Sequence, residues 1–254
     1  MTATTLDKEE EIDSVAAFIA KVADWYVGQD DILFRGHRVN SWPLIPRLGR
    51  MSPRVRFADS PTEVEKKLLK DFDRLAVPYI GARHLQIWDR LALAQHHGLP
   101  TRLLDWSSNP LVALWFAVER PPGQSSAAAV WAYRASSEDF VDHRVAPADI
   151  SRTMIFRPDH HDERIVAQAG WFSVHKYSES TQRFSALENV KKQQQKLRKF
   201  VVPAKYFPAV RGDLARCGIT RASLFPDLAG LCGYLSWKYE PLEDEGPYDI
   251  NNYL

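Results

Sequence analysis

The chain has 254 residues, which is enough for one large domain or one domain with a small appendage. Hydrophobic residues make up 45% and charged residues 26%, as in ordinary soluble globular proteins. A formal net charge of +1 excludes a global field that would draw the protein to nucleic acid or to an anionic membrane. The two cysteines, Cys217 and Cys232, exclude a disulfide framework and suit a reducing compartment. With no signal peptide and no apolar run of about 20 residues, we predict a cytoplasmic protein without a membrane partner.

The first half of the chain is predicted to mix helices with short strands. Residues 6–27 have an apolar helical face and a capping box formed by Asp7 and Glu10. A short strand from Ile32 to Phe34 ends at Arg35-Gly36, where the glycine permits a sharp turn or a close approach to a ligand. An extended, proline-punctuated loop follows, in which Arg47 and Arg50 are placed to face the same cleft. Further helices are predicted at 61–75, 88–97 and 110–119, the last capped by Ser107 or Ser108, and further strands at 101–106 and 127–133.

The second half is more irregular in its pattern. Residues 134–163 are polar and loop-like, and residues 164–174 predict two short strand pieces. The basic run at 191–199 is interpreted as a solvated face before a strand at 200–202. A helix at 206–217 is expected to stop at Gly218, and a last helix precedes a loosely ordered acidic tail. Because no regular βαβ rhythm is present, the pattern favours the α+β class, divided into an N-terminal helix (1–28), a main domain (29–240) and the tail (241–254).

Polar residues are concentrated in the apolar stretch from Leu91 to Val118, and this concentration indicates either a scaffold network or a site. Arginine side chains suit planar anions and pyrophosphates, and a helix N-terminus adds donors for the same purpose. Together the candidates predict a pocket for a nucleotide or dinucleotide. The alternative is an Arg102–Asp105 pair and a cap network that only hold the fold. The candidates are Arg35, His96 or His97, Arg102, Asp105, Ser107, Arg164 and Gln168.

Several common sites are not supported by the sequence. No P-loop, GxGxxG, HExxH or GxSxG motif is present, which removes the main support for ATP-driven, Rossmann, zinc-protease and α/β-hydrolase functions. His160 and His161 beside Asp162 resemble a metal cluster, but adjacent histidines on a strand point to opposite faces. We therefore predict no metal. The eight tryptophans are scattered along the chain, which favours core packing over an aromatic binding stripe.

Four segments carry a resemblance to a known family. These are Phe34-Arg35-Gly36, then AQHHGLPTRLLDWSSNPLVALWFA, then RIVAQAGWF, then SLFPDLAGL. They resemble the FRG domain family of mostly bacterial proteins, over residues 32–234. A weaker resemblance links Phe34-Arg35-Gly36 and Trp106-Ser107-Ser108 to ADP-ribosyltransferases. It implies a split β-sheet flanked by helices, with Arg35 on the pyrophosphate or ribose of NAD and Ser107 on the nicotinamide side.

The chain departs from the ADP-ribosyltransferase pattern at one position. Residues 162–172 fall where a strand opening with Glu-x-Glu would start, and the second glutamate would fall on Arg164. An arginine cannot stabilise an electron-poor ribose. Either Glu163 or Asp105 supplies the negative charge, or the pocket binds without this chemistry, or it takes a different anionic ligand. The resemblance thus gives Arg35, Asp105 and Glu163 as catalytic candidates. The residues expected to hold NAD are Arg35, His96, Arg102, Ser107, Arg164 and Gln168.

Two functions from different classes follow. The first is an enzyme that cleaves NAD or transfers ADP-ribose to an unknown macromolecular target, as a toxin or phage-defence effector. The second is a module that binds a nucleotide or a partner without turnover. A nuclease or RNA-binding effector has the least support, since only the basic run and the paired histidines favour it.

Overall fold

A mixed seven-stranded sheet organises the computed structural model, which describes residues 9–25, 31–51, 60–80, 85–158 and 166–246. The strands are β1 (Glu9–Glu11), β2 (Asp31–His37), β3 (Leu103–Ser107), β4 (Ala127–Ala135), β5 (Met154–Phe156), β6 (Gly170–Val174), β7 (Tyr177–Ser178), β8 (Arg183–Phe184) and β9 (Leu197–Pro203). Their order in the large sheet is β1-β9-β4-β2-β3-β6-β5, and β7 pairs with β8 separately. Of these neighbouring strands in the large sheet, β1 and β9 run parallel and the others antiparallel.

Helices pack around this sheet, so the fold belongs to the predicted α+β class. They are α1 (Val15–Trp25), α2 (Pro61–Leu75), α3 (Val77–Ile80), α4 (Ile87–His96), α5 (Pro110–Val118), α6 (Lys191–Gln194), α7 (Phe207–Arg216), α8 (Arg221–Leu224) and α9 (Leu228–Tyr239). Within the described ranges, none of the helices has the length and apolar character needed to span a membrane.

One face of the sheet packs against α1, α5 and α7 in an extensive apolar cluster. Phe18 of α1 meets Phe34 of β2 and Phe200 of β9 edge to face, and all three rings are fully buried. Gly36 lies inside β2 against α5, where an added Cβ would fall 2.0 Å from the carbonyl oxygen of Ala113. The glycine is therefore required for strand–helix packing. The prediction of a strand end and a turn at this position is wrong.

The sheet is almost divided between β2 and β3. These strands pair at a single position, Phe34 with Ser107, whereas β2 pairs with β4 along its full length. The residues of β2 beyond Phe34 therefore separate from the residues of β3 that precede Ser107, and an opening forms within the sheet.

A buried ion pair fixes the approach to β3. Arg102 and Glu65 are only 4% and 5% exposed, and Arg102 Nε donates to Glu65 Oε2 at 2.6 Å. Its backbone N–H donates to the other oxygen of Glu65, and Nη1 donates to the carbonyl of Pro147. Because Arg102 pairs with Glu65 of α2, the alternative pairing of Arg102 with Asp105 does not form.

Several predicted element bounds are wrong for local reasons. Residues 9–11 form β1 beside β9, where Glu9 and Glu10 pair with Lys199 and Arg198, so α1 begins only at Val15. The same pairing buries Lys199 and extends β9 into the basic run that was predicted to be solvated. The cap of α5 is Asn109, not a serine, since its side chain accepts from the N–H of Leu111 at 2.9 Å.

The start of the predicted acidic tail is anchored to the domain. Arg211 and Glu245 are each 4% exposed, and Arg211 Nε donates to Glu245 Oε1 at 2.5 Å. Arg211 also pairs with Asp244, while Glu245 accepts from the indole N–H of Trp237. The segment up to residue 246 therefore closes over α7 and α9, and the expectation of loose order is wrong for it.

We predict that Glu245→Ala lowers the free energy of unfolding by about 3 kcal/mol, because it removes one partner of a buried ion pair. Urea denaturation at neutral pH measures the change. Glu240→Ala removes an exposed carboxylate nearby and serves as the matched control. A Glu245 variant as stable as the Glu240 variant would contradict the anchoring.

Candidate functional site

A cavity of about 630 Å³ lies where β2 and β3 diverge. Its floor comes from residues 34–38, which include the end of β2, and from the facing residues 103–107 of β3. Its walls come from the end of α4, from one side of α5, from Gln168 and Phe225, and from residues 38–50, which we call the rim loop. The division of the sheet thus creates a large concave site between the two strands.

Arg35 bridges the two diverging strands. Its Nη1 donates to the main-chain carbonyl of Asp105 at 2.5 Å and lies 3.4 Å from the Asp105 carboxylate. The guanidinium therefore satisfies a carbonyl of β3 at a place where strand pairing with β2 has ended. Among the described residues, these contacts use Nε and Nη1 and leave the Nη2 donors for a ligand.

Asp105 is fixed in position although its side chain is 54% exposed. The amide of Gln95 donates to both carboxylate oxygens, at 3.1 and 3.2 Å. The orientation of that amide is set in turn by Thr101, whose hydroxyl donates to Gln95 Oε1 at 2.7 Å. A carboxylate that is oriented in this way and open to the cavity can face positive charge on a ligand.

His37 is held neutral beside Arg35. Because Arg35 Nε–H can only donate, His37 Nε2 accepts it at 3.0 Å, and Nδ1 then carries the proton toward the carbonyl of Trp42 at 3.2 Å. Burial, followed by the charge of Arg35, lowers the pKa of His37 to about 3. The histidine therefore positions Arg35 as an uncharged acceptor.

The rim loop is fixed to distant parts of the chain. The N–H of Leu44 donates to the carboxylate of Glu188, and the carbonyl of Leu44 accepts from Leu187. Asn40 donates its N–H to the carbonyl of Ala127, and Arg47 Nη1 donates to the carbonyl of Gly98 at 2.8 Å. The loop therefore presents its arginines on a preformed surface.

Positive charge predominates in the cavity. Four arginines line it, at positions 35, 38, 47 and 50, and the carboxylates among its described lining residues are Asp105 and Glu119. Burial raises the pKa of Glu119. The lining favours an anionic ligand that offers paired oxygens to the arginine forks, such as a phosphate ester.

The structure brings most predicted site residues together at this cavity. Arg35, His96, Asp105, Ser107 and Gln168 all line it, and Arg47 and Arg50 join them as predicted. Ser107, however, is already engaged: its hydroxyl donates to the carbonyl of Gln168 at 2.7 Å and accepts from the N–H of Asn109. Ser107 thus connects β3 to the segment that leads into β6.

The late strand of the sheet begins later than predicted. Residues 166–169 are not a strand, since β6 begins at Gly170 and Ala169 has a positive φ of 46°. The residue that faces the cavity before β6 is Gln168, whose amide donates to the carbonyl of Leu224 at 3.1 Å. Glu163 and Arg164 lie outside the described residues.

Arg102 does not belong to the cavity. Its side chain turns to Glu65 on another side of the molecule, because Arg102 is buried and its charge needs a buried partner. Within the described ranges, no three His, Cys, Asp or Glu side chains lie in an arrangement that could hold a metal ion, and His160, His161 and Asp162 fall outside these ranges.

Sequence reasoning missed His37, Gln95 and Trp42. His37 lies two residues after Arg35, and the two-residue period of a strand places both on one face. That signal was available, but ending the strand at Phe34 concealed it. Gln95 has no comparable signal, since its partner Asp105 comes from a different element.

We predict that acid destabilises the protein as the pH falls from about 6.5 toward 5 through two buried histidines. His175 also has a pKa lowered to about 3, chiefly by burial, and its Nε2 is hydrogen-bonded with the hydroxyl of Ser173 at 3.0 Å. Below about 6.5 the unfolded chain binds protons that the folded state excludes, which costs about 1.4 kcal/mol per pH unit for each histidine.

Urea denaturation between pH 5 and 7 tests this expectation. His37→Gln and His175→Gln each remove one titrating group. Each should therefore lower the slope of the unfolding free energy against pH by up to about 1.4 kcal/mol per pH unit, whatever its effect on stability at pH 7. A slope that neither substitution changes would show that both histidines protonate freely in the folded state.

Comparison with known proteins gives one match. Residues 30–126 match the model of the FRG domain family. This segment includes β2, α2 to α5 and β3, and therefore Arg35, Gln95 and Asp105. No curated protein and no solved structure matches the chain. The chain carries an FRG domain match across residues 30–126, over the elements that form most of the cavity.

Proposed function

We propose that the cavity binds NAD and that the protein cleaves it, transferring ADP-ribose to water or to a macromolecular target as a toxin or phage-defence effector. The observation that supports this most is the pairing of Arg35 with the half-exposed carboxylate of Asp105 across the divided sheet. A cation for the phosphates and an anion for the ribose stand side by side in one cavity.

Binding would use the positive charge of the lining. The volume of about 630 Å³ lies within the range of ligand pockets, about 300 to 1,000 Å³. The Nη2 donors of Arg35 and the side chains of Arg47 and Arg50 would contact the pyrophosphate, where forked donors match paired oxygens. The apolar wall formed by Phe116 and Phe225 would accept a ring.

The chemical step would depend on Asp105. Breaking the bond between C1′ of the ribose and the nicotinamide nitrogen sends the bonding pair to nicotinamide and leaves positive charge on the ribose. The Asp105 carboxylate, oriented by Gln95, would stabilise that charge. Water or a nucleophile of the target then bonds to C1′ and releases its proton to solvent.

A second function is binding without turnover. It is favoured by Gln168, which faces the cavity before β6. This side chain is a neutral amide that donates a hydrogen bond to the carbonyl of Leu224, so it supplies no negative charge to a ribose. In this case the arginines hold a nucleotide, and Asp105 serves only to orient Arg35.

We predict that Arg35→Ala weakens NAD binding by about ten- to a hundredfold, since it removes charged hydrogen bonds worth about 1.5–3 kcal/mol. Isothermal titration calorimetry measures the affinity. Arg183→Ala, which removes an exposed arginine outside the cavity lining, should leave it unchanged. Equal affinities of the two variants would rule out this cavity as the NAD site.

We predict that Asp105→Asn lowers nicotinamide release about a hundredfold or more while NAD still binds, because the amide keeps the shape and loses the charge. Chromatography of nicotinamide after incubation with NAD measures release. NAD binding by the native protein without any release would instead support the second function. If Asp105→Asn releases nicotinamide as fast as the native protein does, a carboxylate other than Asp105 stabilises the ribose.

A further inference from the structure

Trp42 differs from the other tryptophans of the chain. All eight lie within the described residues, and six are buried while Trp237 is partly buried. Trp42 alone is exposed, at 42%, and it lies on the rim loop at the mouth of the cavity. An exposed indole keeps a large apolar surface in water, and at the mouth of the cavity that surface is available to a ligand.

The ring is held although it is exposed. The carbonyl of Trp42 accepts from His37 Nδ1, and its N–H donates to the carbonyl of Val39 at 3.1 Å. The ring meets that of His37 edge to face at a centroid distance of 6.2 Å, and two residues later Leu44 is fixed by Glu188. A ligand that stacks on this ring would find it already ordered, which lowers the entropic cost of binding.

Positive charge surrounds this ring. The guanidinium carbon of Arg38 lies 5.8 Å from the ring centroid of Trp42. Arg50 lies on the same loop, close enough to Arg35 and His37 to contribute to the lowered pKa of both. An aromatic platform next to arginines is suited to a base that is joined to phosphates.

We propose that Trp42 is the stacking platform for the base of a nucleoside diphosphate, whose two phosphates contact the arginines of the rim loop. This assignment deepens the proposed function, on which it depends for the identity of the cavity as a nucleotide site. It selects a ligand with both a base and a diphosphate, such as ADP or the ADP half of a dinucleotide, over a sugar phosphate.

Calorimetric titration with ADP and with inorganic pyrophosphate tests the assignment. Trp42→Ala should weaken ADP binding by about tenfold or more, since stacking on an aromatic side chain contributes about 1–3 kcal/mol per base. It should leave pyrophosphate binding unchanged, and Trp42→Phe should recover most of the ADP affinity. Tyr79→Ala is the matched control, because Tyr79 is an aromatic residue 88% exposed and outside the cavity lining.

Three outcomes would overturn the assignment. Equal losses for ADP and pyrophosphate would show that Trp42 only holds the rim loop. Unchanged affinity for ADP in Trp42→Ala would show that the base does not stack on this ring. A native protein that does not bind ADP would show that the cavity has no such subsite.

Nicotinamide release from NAD, measured beside the titrations, separates this assignment from the proposed function. If Trp42→Ala weakens ADP binding as expected and the native protein releases no nicotinamide, the base subsite is supported and the catalytic proposal is contradicted. If the native protein releases nicotinamide but does not bind ADP, the catalytic proposal is supported and the base subsite is contradicted.

Discussion

The hydrogen bond from Arg35 to the main-chain carbonyl of Asp105 is the interaction on which the site depends. Two antiparallel strands that pair at one position must leave backbone groups without strand partners, and such groups are costly unless another donor replaces the ladder. The guanidinium supplies that donor through Nη1, and its Nη2 makes no hydrogen bond within the described residues. One side chain therefore both stabilises the opening between β2 and β3 and contributes to the positive charge of the resulting cavity.

The surroundings of this bond are arranged so that little has to move when a ligand binds. His37 is neutral and accepts from Arg35, Gln95 orients Asp105, and Glu188 holds the rim loop at Leu44. The contacts of Gln95 and Glu188 join different parts of the chain, so the geometry is set largely by tertiary packing. Such preorganisation lowers the cost of reorienting charged groups.

The sequence was informative where the signal is local. The α+β class, the bounds of α2 and α5 within one residue, and the polar cluster of the stretch 91–118 follow from periodicity, caps and breakers. It was uninformative where a distant partner decides. Arg102 has the features of a site residue until Glu65 is placed beside it, and residues 9–11 have those of a helix until β9 offers a strand to pair with.

The single β2–β3 pair also bears on how this chain can be divided. The segment 30–126 contains β2 and β3, but the ladders of these strands are completed by β4 and β6, which lie beyond residue 126. Excised alone, the segment would expose two long strand edges, and such edges promote aggregation. The matched segment thus carries the two strands of the site without the strands that complete their hydrogen bonding, so a fragment intended to fold should extend through β4 and β6.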